Sequence, residues 1–114
     1  MTGGAAEPRI VSETLGPPVR LELAVAPDLP CFEGHFPGVP VLPGVVQLDW
    51  AIRFGGQYLG MSSDIRRIDA LKFSRIVRPG ARLTLELEPT VDGFCFRYQH
   101  GAVTCSSGRI ACAR

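Results

Sequence analysis

Between residues 27 and 44 the chain carries five prolines (27, 30, 37, 40 and 43) and three glycines (34, 38 and 44). No regular element persists through such a run, because each proline removes a backbone donor and locks φ. The segment therefore divides the chain into strand-like sequence before it and a single helical pattern directly after it. A long rigid loop inside so small a domain is more often functional than a plain connector.

Before the loop, residues 19–26 alternate, with Val19, Leu21, Leu23 and Val25 on one face and Arg20 and Glu22 on the other. That is the pattern of a half-buried strand. A shorter strand over 9–14 precedes it, broken by Gly16-Pro17-Pro18. After the loop, Pro43-Gly44 opens a helix through Gly60, with Val45, Leu48, Ile52 and Leu59 at helical spacing. Gly55 and Gly56 each cost such a helix roughly 1 kcal/mol relative to alanine, so their presence implies close packing against the backbone.

Strand patterns then return. Residues 65–77 read as one long strand ended by Arg78-Pro79-Gly80. Residues 81–89 place Leu83, Leu85 and Leu87 inward and Thr84, Glu86 and Glu88 outward. Asp92-Gly93 is a hairpin signal. Phe94, Phe96 and Tyr98 alternate with Cys95, Arg97 and Gln99, and Gly101 leads into a last strand over about 102–112. Two strands, a loop, one helix and four antiparallel strands joined by short turns define an α+β chain. One helix cannot cover both faces of the sheet, so the sheet is expected to curl around it.

The 114 residues fit one domain, 1–114, with residues 1–6 as a flexible leader. A net charge of +1 names no partner, and no basic run interleaved with aromatics points to nucleic acid. No secretory pattern opens the sequence, and no apolar stretch approaches the roughly 20 residues that span a bilayer. Cys31, Cys95, Cys105 and Cys112 form no CxxC pair, so neither a metal site nor a redox motif is expected. They read as packed, reduced thiols of a cytoplasmic protein.

The chemistry concentrates in Gly34–Val45 and Asp49. His35 sits in the proline-pinned loop and titrates near neutrality, as a general base must. The helix start at Gly44-Val45 offers free N–H groups and a positive dipole end, suited to an oxygen gaining negative charge. Glycine at 44 permits close approach. A base, an oxyanion donor and a carboxylate within fifteen residues suggest proton abstraction beside a carbonyl. Asp49 also has a plain reading, since acids near a helix start are stabilised by the dipole.

The sixteen residues GHFPGVPVLPGVVQLD resemble the signature of bacterial 3-hydroxyacyl-acyl-carrier-protein dehydratases, the FabA/FabZ family. That signature has a Gly-His-Phe-Pro-Gly loop, a Pro-Gly-Val helix start and an acid fourteen positions after the histidine, here Asp49. Weaker similarity continues through Lys72-Phe73 and Val77-Arg78-Pro79-Gly80. The resemblance implies a hotdog fold and a cofactor-free dehydratase of fatty-acid or polyene-type biosynthesis. Its substrate would be a 3-hydroxyacyl group on an acyl carrier protein. His35 would take the α-proton, the Gly44 N–H would hold the thioester oxygen, and Asp49 would assist departure of the hydroxyl as water. Phe36, Pro37, Gly38 and Pro43 would position the loop. The family's sites form across a dimer, with histidine and acid from different subunits, so a homodimer is implied.

Two departures stand out. The chain is short for the family and shows no N-terminal helix. Trp50 replaces a usual alanine and is expected to narrow the space for the acyl chain. The run Gln47-Leu48-Asp49-Trp50 in so short a chain is similar to dehydratases of aryl-polyene pathways. Two rivals remain: a hotdog thioesterase, against which the loop motif counts, and a non-catalytic acyl-binding subunit of a heteromeric dehydratase, which would have no need of both His35 and Asp49. His100, Cys31, Phe94, Phe96 and Tyr98 read as structural. Arg66, Arg67, Lys72, Arg75, Arg78 and Arg82 cluster with only Asp69 opposing them. They form either a solvated strand face or a docking patch for an acidic carrier.

Overall fold

The computed structural model describes residues 7–29, 32 and 41–113. In chain order the elements are β1 (Arg9–Leu15), β2 (Val19–Ala24), α1 (Gly44–Leu59), β3 (Ile65–Phe73), β4 (Arg82–Thr90), β5 (Gly93–His100) and β6 (Val103–Cys112). The strands form one antiparallel sheet in the order β1-β2-β4-β5-β6-β3.

The alternation in β2, β4 and β5 becomes the inner face of this sheet. Val19, Leu21, Leu23, Leu83, Leu85, Leu87, Phe94, Phe96 and Tyr98 are all buried, and they enclose Trp50, Ala51 and Phe54 of α1. Register places Leu21 beside Leu85, Leu85 beside Tyr98, and Tyr98 beside Ser106, one row across four strands. The sheet is thus curled around a single helix, as expected for a hotdog fold.

Three expectations need correction. The helix forms, but its buried stripe is Gln47, Trp50, Ala51, Phe54 and Gly55, while Val45 is 72% exposed. Leu48, Ile52 and Leu59 are only half-buried. The larger rings of Trp50 and Phe54 occupy the core, and Gln47 enters it because its polar atoms are all paired there. Second, β3 stops at Phe73 instead of running to 77, because Ser74 and Arg75 turn their N–H groups to the Cys105 carbonyl. Third, β3 and β4 are not joined as neighbours by a short turn. Residues 74–81 carry the chain from β3, the edge strand beside β6, across to β4, which lies between β2 and β5.

The two helical glycines differ. A Cβ on Gly55 would lie 2.5 Å from Phe94 Cζ, the close packing expected of it, whereas on Gly56 it would meet only the Met61 carbonyl at 3.4 Å. Gly60 ends α1 in the left-handed region at φ 69°, with its N–H and that of Met61 donating to the Gly56 and Gly55 carbonyls. Cys95, Cys105 and Cys112 are free thiols. Among the described residues no helix is long and apolar enough to cross a membrane.

Candidate active site

The site is organised by the start of α1. Pro43 (φ −62°, ψ 147°) is extended, and its carbonyl accepts the Val46 and Gln47 N–H groups at 3.1 and 3.2 Å. No side chain caps this end. The first N–H groups of a helix have no partner within it, which leaves those of Gly44 and Val45 available. Ahead of them, the Leu42 N–H donates to the Val77 carbonyl at 2.7 Å, tying the loop's end to the segment after β3.

A cavity of about 460 Å³ opens at this helix start, lined by Val41–Gly44, Gln47 and Phe73–Ile76. The Phe73 ring lies against Gly44, so that a Cβ there would be 2.7 Å from its Cζ. Phe73 is 48% exposed. A larger groove of about 570 Å³ lies elsewhere, on the outer sheet face around Glu86, Glu88, Arg97 and Arg109. Its central acid Glu86 is already bound by Arg20 at 2.9 Å and Arg97 at 2.6 Å, and no bare backbone donor of a helix faces it. The smaller cavity is the one that meets the start of a helix, at Gly44.

Pro43 and Gly44 therefore meet at one cavity, whereas Val45 and Asp49 do not line it. Asp49 sits on the outer side of α1, its side chain 51% exposed, and Arg53 Nε holds its Oδ2 at 2.9 Å. Arg53 also reaches Glu7 at 3.3 Å. His35, Phe36, Pro37, Gly38 and Cys31 lie outside the described residues. Trp50 is a core residue and is absent from the cavity lining, so it does not narrow this space.

Beneath the cavity runs a buried polar network that the sequence pattern did not single out. Gln47, 3% exposed, donates from Nε2 to the Leu42 carbonyl at 3.2 Å and accepts from Ser106 Oγ at 2.7 Å. The Tyr98 hydroxyl donates to the Gln47 carbonyl at 2.7 Å. Burial, with the negative charge of Asp49 adding to it, holds the Tyr98 phenol well above its usual pKa. A glutamine on a helix face otherwise filled by Trp50 and Phe54 was the available signal.

The basic cluster resolves into two sets. Arg66 pairs with Asp64 at 3.7 Å, and Arg67 with Asp69 at 2.6 Å and Asp92 at 3.3 Å. Asp69 is thus not the only opposing acid. Lys72, Arg75, Arg78 and Arg82 make no ion pair among the described residues. Arg75 borders the Gly44 cavity, and Arg78 and Arg82 border an adjoining groove with His100. Among the described residues no group of three or more His, Cys, Asp or Glu could hold a metal ion.

An antiparallel sheet curled around one helix, with that helix's N-terminus opening into a cavity, defines a hotdog chain. Residues 12–109 match the family model of ApeI-like proteins, described as ApeI dehydratase. The chain belongs to that family. It is 37% identical, over 71% of its length, to a FabZ 3-hydroxyacyl-acyl-carrier-protein dehydratase of Latilactobacillus sakei, and 37% identical over 59% to one of Chloroflexus aggregans. These alignments span only 62% and 51% of the relatives' own lengths. Among solved structures, the dehydratase heterocomplex ApeI:P from Xenorhabdus doucetiae superposes with a TM-score of 0.85 at 30% identity, covering 95% of this chain and 99% of that one.

Proposed function

We propose that this chain is a 3-hydroxyacyl thioester dehydratase acting on acyl groups held by an acyl carrier protein, without a cofactor. The observation that carries the reading is the Gly44 N–H, without a partner among the described residues, at a cavity lined mainly by apolar side chains. The thioester oxygen accepts from the Gly44 N–H. His35 removes a proton from C2, and the developing enolate charge falls on that oxygen. The C3–O bond then breaks as the proton taken from C2 is returned to the hydroxyl with Asp49 assisting, so that water leaves and a trans-2-enoyl thioester remains. Preorganised donors aimed at such charge are worth roughly 10²–10³ in rate.

The outward placement of Asp49 favours a site completed by a second chain, His35 and Asp49 coming from different subunits. The edge of β3 supports such pairing. As the end strand of the sheet it has no strand partner on its outer side among the described residues, and Ile68, Leu71 and Phe73 are exposed on it. A homodimer is the first reading. A heteromeric pair is the second, favoured by the ApeI:P complex being a heterocomplex. The mass of the purified chain alone and with candidate hotdog partners separates the two. The unpaired Arg75, Arg78 and Arg82 beside the cavity are the cations offered to an acidic carrier.

The test is enoyl-thioester formation from a carrier-bound 3-hydroxyacyl substrate by wild type, His35→Ala and Asp49→Ala. Conversion that collapses in each folded variant is the expected result. Release of free carrier thiol without enoyl product would replace this reading with a thioesterase. Refolding the two inactive variants together should restore part of the activity if sites are shared between subunits.

A further inference from the structure

The Gly44 N–H is useful only if it points into the cavity, and no side chain caps the helix to aim it. Direction is set instead from below. Gln47 lies one turn into α1, where helical spacing turns its side chain toward the sheet, and register brings Ser106 and Tyr98 side by side beneath it. Ser106 orients the carboxamide by donating to Oε1, which leaves Nε2 to hold the Leu42 carbonyl. Tyr98 holds the Gln47 backbone carbonyl from the same side. Leu42 is further tied through its own N–H to Val77. The two residues before Gly44 are therefore gripped at the Leu42 carbonyl, the Leu42 N–H and the Pro43 carbonyl.

An apolar residue of equal size would fill this core position without the cost of burying an amide. What it could not do is bind the Leu42 carbonyl. Gln47 also lines the cavity itself. We propose that Gln47 is a positioning residue of this site, its buried carboxamide fixing Leu42–Gly44 so that the Gly44 N–H faces the substrate carbonyl. The proposal rests on the reading of Gly44 as the oxyanion donor. Gln47 touches no reacting atom in this role. Ser106 acts through it.

The experiment uses the full chain with His35→Ala to prevent turnover, saturated with the 3-hydroxyhexanoyl thioester of N-acetylcysteamine carrying ¹³C at the carbonyl. Isotope-edited infrared spectra report the polarisation of that carbonyl, which a residue important only for stability leaves unchanged in the folded protein. A band displaced to lower wavenumber in the parent, returning most of the way to its solution position with Gln47→Met and part of the way with Ser106→Ala, is the expected result. Alongside it, with His35 intact, Gln47→Met should lower kcat by roughly 10- to 100-fold, as small misplacements of a catalytic group do. KM should move by less than about threefold. A displaced band in the parent that stays displaced in both variants overturns this proposal alone. An undisplaced band in the parent removes the reading of Gly44 and the proposal with it. Ser106→Ala, which deletes a single oxygen, keeps the test available if Gln47→Met fails to fold.

Discussion

Alanine substitutions at Gly55 and Gly56 should change stability in opposite directions. Both residues lie in the last half of α1, and each replacement gains up to about 1 kcal/mol of helix propensity. At Gly56 the new methyl meets only the Met61 carbonyl at 3.4 Å, an ordinary contact, so the gain survives. At Gly55 it would lie 2.5, 2.8 and 3.1 Å from three atoms of the Phe94 ring. Carbon atoms prefer separations of about 3.5–4.0 Å, so the ring would have to retreat by about 1 Å. Phe94 is fully buried in the sheet's inner face, and close-packed interiors leave it no room. Overpacking of this kind costs about 1–3 kcal/mol. With an overlap this large the upper end applies, and the net loss after the propensity gain is about 2 kcal/mol. For a chain of this size 1 kcal/mol corresponds to about 4–8 °C in Tm. Urea denaturation followed by Trp50 fluorescence, with thermal melts alongside, measures both variants. The urea midpoint should rise for Gly56→Ala and fall for Gly55→Ala at constant slope. A rise for both would mean that Phe94 yields freely and would refute the argument from packing.

The chain has two tyrosines, and both are held above the ordinary value of 10: Tyr58 to about 12, chiefly by its hydrogen bond to Glu13, and Tyr98 well above it by burial. Raised phenol pKa values favour folding fully below pH 10, and that contribution is lost as pH climbs through the folded-state values. Absorbance at phenolate wavelengths should therefore show no step near pH 10 in native protein, and a half-amplitude step there would contradict the assignment. Gly44→Ala should leave Tm unchanged or higher, because Phe73 is exposed enough to swing aside, yet lower dehydration at least about tenfold by crowding the oxyanion site. Equal activity would exclude Gly44 from the site. Charge reversal at Arg75, Arg78 and Arg82 together should reduce kcat/KM on carrier-bound substrate about tenfold and leave small thioesters nearly unchanged, while reversal at the ion-paired Arg66 should do neither. Parallel loss on both substrate types would show that these arginines serve the site and not the carrier. Ala70 adopts φ 53° beside the bulge in β3, so Ala70→Gly should stabilise the chain by up to about 1 kcal/mol in the same urea assay.

Elements whose causes are local were legible from the amino-acid order. Alternation of Leu83, Leu85 and Leu87 and the Pro43-Gly44 helix start each depend on a few neighbouring residues and lie where the pattern places them, while the hairpin signalled by Asp92-Gly93 forms one residue earlier, with Val91-Asp92 as its turn and Gly93 paired to Thr90. Gly55 against Phe94 was readable for the same reason, since a glycine within a helix implies a close neighbour. Other features depend on distant partners. Helical spacing alone favoured Val45, Leu48, Ile52 and Leu59 as the inner stripe. The buried stripe is set by which ring fits the curled sheet and by whether Gln47 finds Ser106, 59 residues away. The end of β3 was equally hidden, because beyond the Phe73–Ser106 pair the Ser74 and Arg75 N–H groups both turn to one carbonyl of a distant strand, Cys105 of β6. The Arg67–Asp92 pair followed the fold in the same way, Asp92 being brought to Arg67 from the turn between β4 and β5. Local chemistry announced a helix start able to hold an oxyanion. Aiming that helix start required residues from β5, β6 and the segment after β3, which no local pattern connects.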